Sequence, residues 1–129
     1  MNFSLIIALL LSFATVVIHV SVGGADTAQP ILDSDLSETT RMTAFYAWHM
    51  ATVILVAMTL LLGDALFMRQ KPDSAGLVAF LAFTFAALAI GQTLSHDLDW
   101  MVLPQWMLFI PLGVFSALGA AKMGRDGKA

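Results

Sequence analysis

The chain contains no cysteine. That removes thiolate zinc sites, iron–sulfur clusters, Cys-x-x-Cys-His haem attachment and disulfides. Histidine, carboxylates, methionine and backbone remain as ligands. Charge is also scarce. Asp, Glu, Lys and Arg make up 12% of the 129 residues, against about a quarter in a soluble domain. So few polar groups cannot cover a soluble surface, and the bilayer is the expected solvent. Basic residues are scarcer still: six Lys and Arg stand against nine Asp and Glu, a formal net charge of −3. Without a basic patch, nucleic-acid binding is excluded. No nucleophile–base pair and no paired carboxylates stand at catalytic depth, which leaves an outer-face oxidoreductase built on the histidines as the one enzymatic alternative to a non-enzymatic role. Asp64 is the one acid inside an apolar run. It lies near the end of that run, an interfacial place rather than that of a deep proton carrier.

What is present is apolar. Hydrophobic residues make up 59% of the chain, and the mean hydropathy is +0.85. Four apolar runs stand out, at 3–22, 43–67, 75–95 and 102–121. Each is long enough to cross a hydrocarbon core of ~30 Å as a helix. The first run has no basic segment before it and a long apolar stretch, so it reads as a membrane helix rather than a cleaved signal. The expected fold is one all-α membrane domain over 1–129: four transmembrane helices in an antiparallel up-down bundle. An outer loop spans 23–42 and a cytoplasmic tail 122–129.

Five of the six basic residues fall on one side: Arg69 and Lys71 between the second and third runs, and Lys122, Arg125 and Lys128 in the tail. The positive-inside rule then places both termini in the cytoplasm. The expected location is a bacterial inner membrane, with the acidic loops outside. Tyr46, Trp48, Trp100 and Trp106 form an aromatic belt near the outer ends. Local signals refine the boundaries. Gly23–Gly24 reads as the end of helix 1. "DLSE" at 35–38 resembles a capping box, with Asp35 as N-cap and Glu38 at N3. Pro104 suits the first turn of helix 4, and Pro111 interrupts its ladder.

Each run carries a stripe of small and hydroxyl residues, the kind that lets membrane helices approach and hydrogen-bond. The stripes are Ala8, Ser12, Thr15 and His19; His49, Thr52, Val56, Thr59 and Gly63; Thr84, Ala87, Gly91 and Ser95; and Gly113, Ser116 and Ala120. Their spacing of threes and fours places each on one helical face, expected to point inward.

His19 and His49 therefore fall on facing stripes at similar depth, with His96 at the outer end of helix 3. Intramembrane ionisable residues are functional candidates by default. Neutral imidazoles suit haem iron or a metal, with His96, Asp97 or Asp99 as a third ligand. The bland alternative is a neutral histidine hydrogen-bonded across the bundle to Ser21, Thr52 or a carbonyl. For a lone membrane histidine that alternative is the commoner one. Met42, Met50, Met101 and Met107 would suit copper(I), although Met more often fills gaps in apolar helices. A quinone would need a histidine donor and an apolar slot, with Phe45, Trp48 and Trp106 as walls. Arg41 is a candidate for a lipid phosphate or an anionic ligand, or simply a surface residue.

"IHVSVGG", "QPIL", Arg41 and "AWHM" together resemble a group of small, uncharacterised four-helix proteins of the bacterial inner membrane. The likeness covers the first half of the chain and rests on His19, Gly24, Pro30, Arg41, Trp48 and His49. It implies a four-helix fold and a shared role for the two histidines. Three functions follow as expectations. The first is an accessory subunit that binds a membrane-protein partner or its own copies. The second is a binder of b-type haem, metal or quinone through His19, Trp48 and His49. The third is a small homo-oligomeric transporter.

Overall fold

The computed structural model describes residues 2–68 and 72–126. Among them the structure is all helical, with no strand. Four helices are long and apolar enough to cross a membrane: α1 (Phe3–Leu32), α2 (Glu38–Met68), α3 (Pro72–Ser95) and α4 (Trp106–Asp126). Their outer surfaces are apolar, with Leu10, Phe13, Val53, Leu60 and Phe80 all exposed. A soluble surface would not carry such a band.

Helix boundaries depart from the sequence reading in three places. Gly23 and Gly24 do not end α1. Both are right-handed helical, and the helix runs on through a π turn, Gly24–Ala28, into a last turn over Gln29–Leu32. Pro30 gives a physical reason for the π turn. It has no N–H to donate, and its ring crowds the carbonyl four residues back, so the ladder must loosen just before it. The cap of α2 is Ser37 rather than Asp35: the Ser37 hydroxyl accepts from the Thr40 N–H at 3.3 Å. Helix α4 starts at Trp106, so Pro104 stands in the turn before it. Pro111 lies inside α4, as expected.

The helices pair by small residues. α1 packs on α4 and α2, and α4 packs most extensively on α3, whereas α2 barely meets α4. Asn2 caps α1, its side-chain oxygen accepting from Leu5 N, and donates through Nδ2 to the Gly119 carbonyl at 2.9 Å. A Cβ placed on Gly119 would lie 2.5 Å from Leu5 Cδ2. This close approach of α1 to α4 therefore depends on glycine. Lipid tails are as apolar as leucine, so such packing and cross-helix hydrogen bonds, not water exclusion, hold helices together in a bilayer. One such bond joins Ser12 Oγ and Thr59 Oγ1 at 2.7 Å.

The inward stripes are met in part. On α1, Leu5, Ala8, Ser12 and Thr15 are buried. On α4, Gly113 and Ser116 are buried, with Leu112 and Gly119. On α2 the expected phase is off by one residue. Thr52 and Thr59 do face α1, but the buried apolar partners are Leu55 and Leu62, while Val56 and His49 are exposed. On α3 the expected face is the wrong one. Ala75, Val78, Ala79, Ala82, Ala86, Ala89 and Thr93 are buried, and Ala87, Gly91 and Ser95 are exposed.

Candidate functional site

The gap between α2 and α4 is a part-open trough of about 640 Å³. That lies within the range of about 300–1,000 Å³ for small-molecule sites. Its floor is one face of α1: Thr15, Ile18, His19, Val22, Gly23, Asp26 and Thr27. Each has another three or four residues along, so this is a single stripe. At 1.5 Å per residue it extends about 18 Å. One wall is Trp48 and Leu55, two turns apart on α2, and the other is the segment from Met101 to Phe109. Asp99 helps to hold that segment. Its carboxylate accepts from Met101 N at 2.8 Å, and its carbonyl accepts from Val102 N.

Most of the lining is apolar. Asp26, Thr27 and Gln105 lie toward one end, beside Met101, Val102 and Pro104, while Leu55, Ile18, Leu108 and Phe109 line it toward the other, with Thr15. His19 and Trp48 lie between. Their rings stack, with centroids 4.7 Å apart and planes 17° from parallel. His19 Nε2 lies 3.0 Å from Thr52 Oγ1, and Thr52 Oγ1 also donates to the Trp48 carbonyl at 3.2 Å. The imidazole is thus clamped by one helix from two directions. The cross-bundle bond to Thr52 is one of the partners expected if the histidine were structural. Its place in the trough wall is what distinguishes it.

The other candidates scatter. His49 is exposed, edge-on to Phe45 at 4.5 Å and to Trp48 at 5.0 Å. It does not line the trough. His96 and Asp97 are taken up in ending α3. Asp97 adopts a left-handed φ of 50°, and Leu98 N donates to the Thr93 carbonyl, the six-to-one bond of a glycine-type helix ending. Among the described residues no group of three or more His, Asp or Glu is placed to hold a metal ion. Arg41 sits in the first turn of α2, half-buried and outside the trough wall. Of the expected quinone walls, Trp48 lines the trough, while Phe45 and Trp106 do not. Met101 and Met107 line it, and Met42 and Met50 do not.

Among the lining residues that had no part in the sequence argument for a site are Thr27, Gln105 and Gly23. Gln105 carried a signal, an amide inside the apolar run "VLPQWM". Asp26 was visible only as loop charge, because the helix was expected to stop before it. Comparison of the chain with family models, with curated proteins and with solved structures finds no match.

Proposed function

We propose that this protein binds a lipophilic, amphiphilic small molecule in the trough, with the polar head at His19 and Trp48 and the tail along Leu55 and Phe109. The observation that carries this reading is the trough itself: long, mostly apolar, with Asp26, Thr27 and Gln105 toward one end, and walled by helices that do not close on each other. A quinone or quinol is the ligand class that fits best, since it needs an apolar slot and one or two directed hydrogen bonds. Bis-histidine haem and metal fit less well, because His49 faces away from the trough.

The reading includes a topology. The helices run up and down through a bacterial inner membrane with both termini in the cytoplasm. The distribution of Lys and Arg supports the orientation. Pairing of Ser12 with Thr59, of His19 with Thr52 and of Asn2 with Gly119 supports antiparallel neighbours. The polar end of the trough then opens at the outer leaflet. An accessory role in a larger membrane assembly is the second reading. The outward row of Thr84, Ala87 and Gly91 on α3 favours it, being small residues without a helix against them.

Extraction and mass spectrometry of lipids bound to the protein purified in mild detergent test the first reading. A single amphiphile should be enriched over bulk lipid near one equivalent, and Gly23→Leu should lose it. A Cβ at Gly23 would make only ordinary contacts, 3.9 Å from His19 Nδ1 and from Trp48 Nε1. A longer side chain would fill the head-group end without disturbing the helix. Bulk lipid composition in both proteins would contradict the reading.

A further inference from the structure

The two contacts around Thr52 favour one tautomer of His19, and that tautomer says what a ligand would have to offer. The Thr52 hydroxyl has one proton and two neighbours: the Trp48 carbonyl at 3.2 Å and His19 Nε2 at 3.0 Å. A carbonyl can only accept. If the hydroxyl donated to the imidazole, the carbonyl contact would become an apposition of lone pairs. Only one assignment makes both contacts hydrogen bonds: Thr52 donates to the Trp48 carbonyl, and His19 Nε2–H donates to Thr52. In a neutral imidazole the second nitrogen is then an acceptor.

That second nitrogen faces the trough floor at Gly23, where a Cβ would lie 3.9 Å from Nδ1. The Trp48 Nε1, a donor only, stands the same distance from the same point. An acceptor and a donor on stacked rings thus meet over a glycine that leaves the space open. A hydroxyl is the group that satisfies both, accepting from the indole N–H and donating to Nδ1. A carbonyl satisfies the indole but sets its lone pairs against Nδ1.

Resting on the amphiphile reading above, we infer that the trough selects a lipophile with a hydroxyl head group, and so a quinol over its quinone. The inference concerns binding only; no electron transfer is part of it. The aromatic or aliphatic nature of the alcohol is separated in the test.

The protein in lipid nanodiscs would be titrated with three probes: a short-tailed prenyl benzoquinone, the same compound reduced to the quinol, and a prenyl alcohol of equal tail length. Saturable binding at least tenfold tighter for the quinol than for the quinone is expected. The prenyl alcohol should follow the quinol if any hydroxyl suffices, and the quinone if the aromatic ring on Trp48 is also required. Thr52→Val should remove most of the preference while leaving the trough. Equal or tighter quinone binding, lost in Gly23→Leu, would overturn the hydroxyl inference and leave the amphiphile reading standing. Absence of saturable binding by all three probes would overturn both. An independent readout is the side-chain nitrogen spectrum of a His49→Gln, His96→Gln variant, in which His19 is the only histidine. A protonated Nε2 and bare Nδ1 are expected; the reverse would overturn the assignment whatever the ligand.

Discussion

The two ends of the bundle are built differently. At the end holding Leu5, Leu62, Ala75, Val78, Ser116 and Gly119, side chains are almost wholly buried and glycine brings α1 against α4. At the other end α1 carries His19, a π turn and a proline, and the trough opens beside them. Both ends of the runs are mostly apolar. What differs is the size and polarity of the residues on one face of α1: Leu5, Ala8 and Ser12 close the first end, and His19, Gly23 and Asp26 leave the second open. The lesson is that a small membrane bundle can spend its packing at one end and keep the other for a ligand.

That contrast can be broken from the tight end first. Gly119→Val should have the largest effect, because its Cβ alone would lie 2.7 Å from Leu5 Cγ and 3.4 Å from Leu5 N. Overpacking of this kind costs about 1–3 kcal/mol, and the upper figure is expected here. A lowered midpoint of thermal unfolding in detergent would show it; an unchanged midpoint would mean that α1 and α4 are not held this closely.

A matched pair sharpens the contrast. Leu62 and Leu55 are both buried, Leu62 wholly and Leu55 to 5% exposure, but Leu55 also borders the trough and Leu62 does not. Truncation costs in proportion to the void it leaves. Leu62→Ala should therefore destabilise by about 2 kcal/mol and Leu55→Ala by about half of that or less. Equal losses at the two sites would remove the distinction between a packed and an open end. Ser12→Ala should cost less again, about 0.6 kcal/mol, the usual size of a hydrogen bond between membrane helices. Double-mutant coupling with Thr59→Val should recover that value, and zero coupling would deny the Ser12–Thr59 bond. The smallest effect is expected at Asp97→Gly. Relief of a left-handed φ outside the bundle should stabilise by only a few tenths of a kcal/mol. Measurable destabilisation there would mean that the carboxylate itself has a partner or a role.

Much of this architecture was legible in the sequence. Four spans follow from length and hydropathy alone. The face of α1 was legible too, since Ser12, Thr15 and His19 break an otherwise uniform run at helical spacing. Phase was lost where every face is apolar. On α2, Thr52 and Thr59 are compatible with neighbours at 48, 55 and 62 or at 49, 56 and 63, and only packing decides between them. On α3, glycine and hydroxyl residues drew the expected seam to Thr84, Ala87 and Gly91, whereas an alanine face packs closely without polar groups and became the inner one. The trough was out of reach for another reason. It needs α1 to continue past Gly24, against the turn signal, and it needs the segment from Met101 to Phe109 to form a wall. Neither is a local property of the residues concerned. His19 and Trp48, which line the trough, stood out because an imidazole and an indole are conspicuous in an apolar run; His49 was equally conspicuous and does not line it.

The most direct test of the trough uses Trp48 as its own reporter. With Trp100→Phe and Trp106→Phe, Trp48 is the single tryptophan, and an amphiphile with a brominated tail quenches it only on contact. Quenching that saturates at one equivalent and disappears in Gly23→Leu is the result the account predicts. Quenching that rises linearly with added amphiphile, identical in Gly23→Leu, would place Trp48 against bulk lipid and contradict a bound ligand.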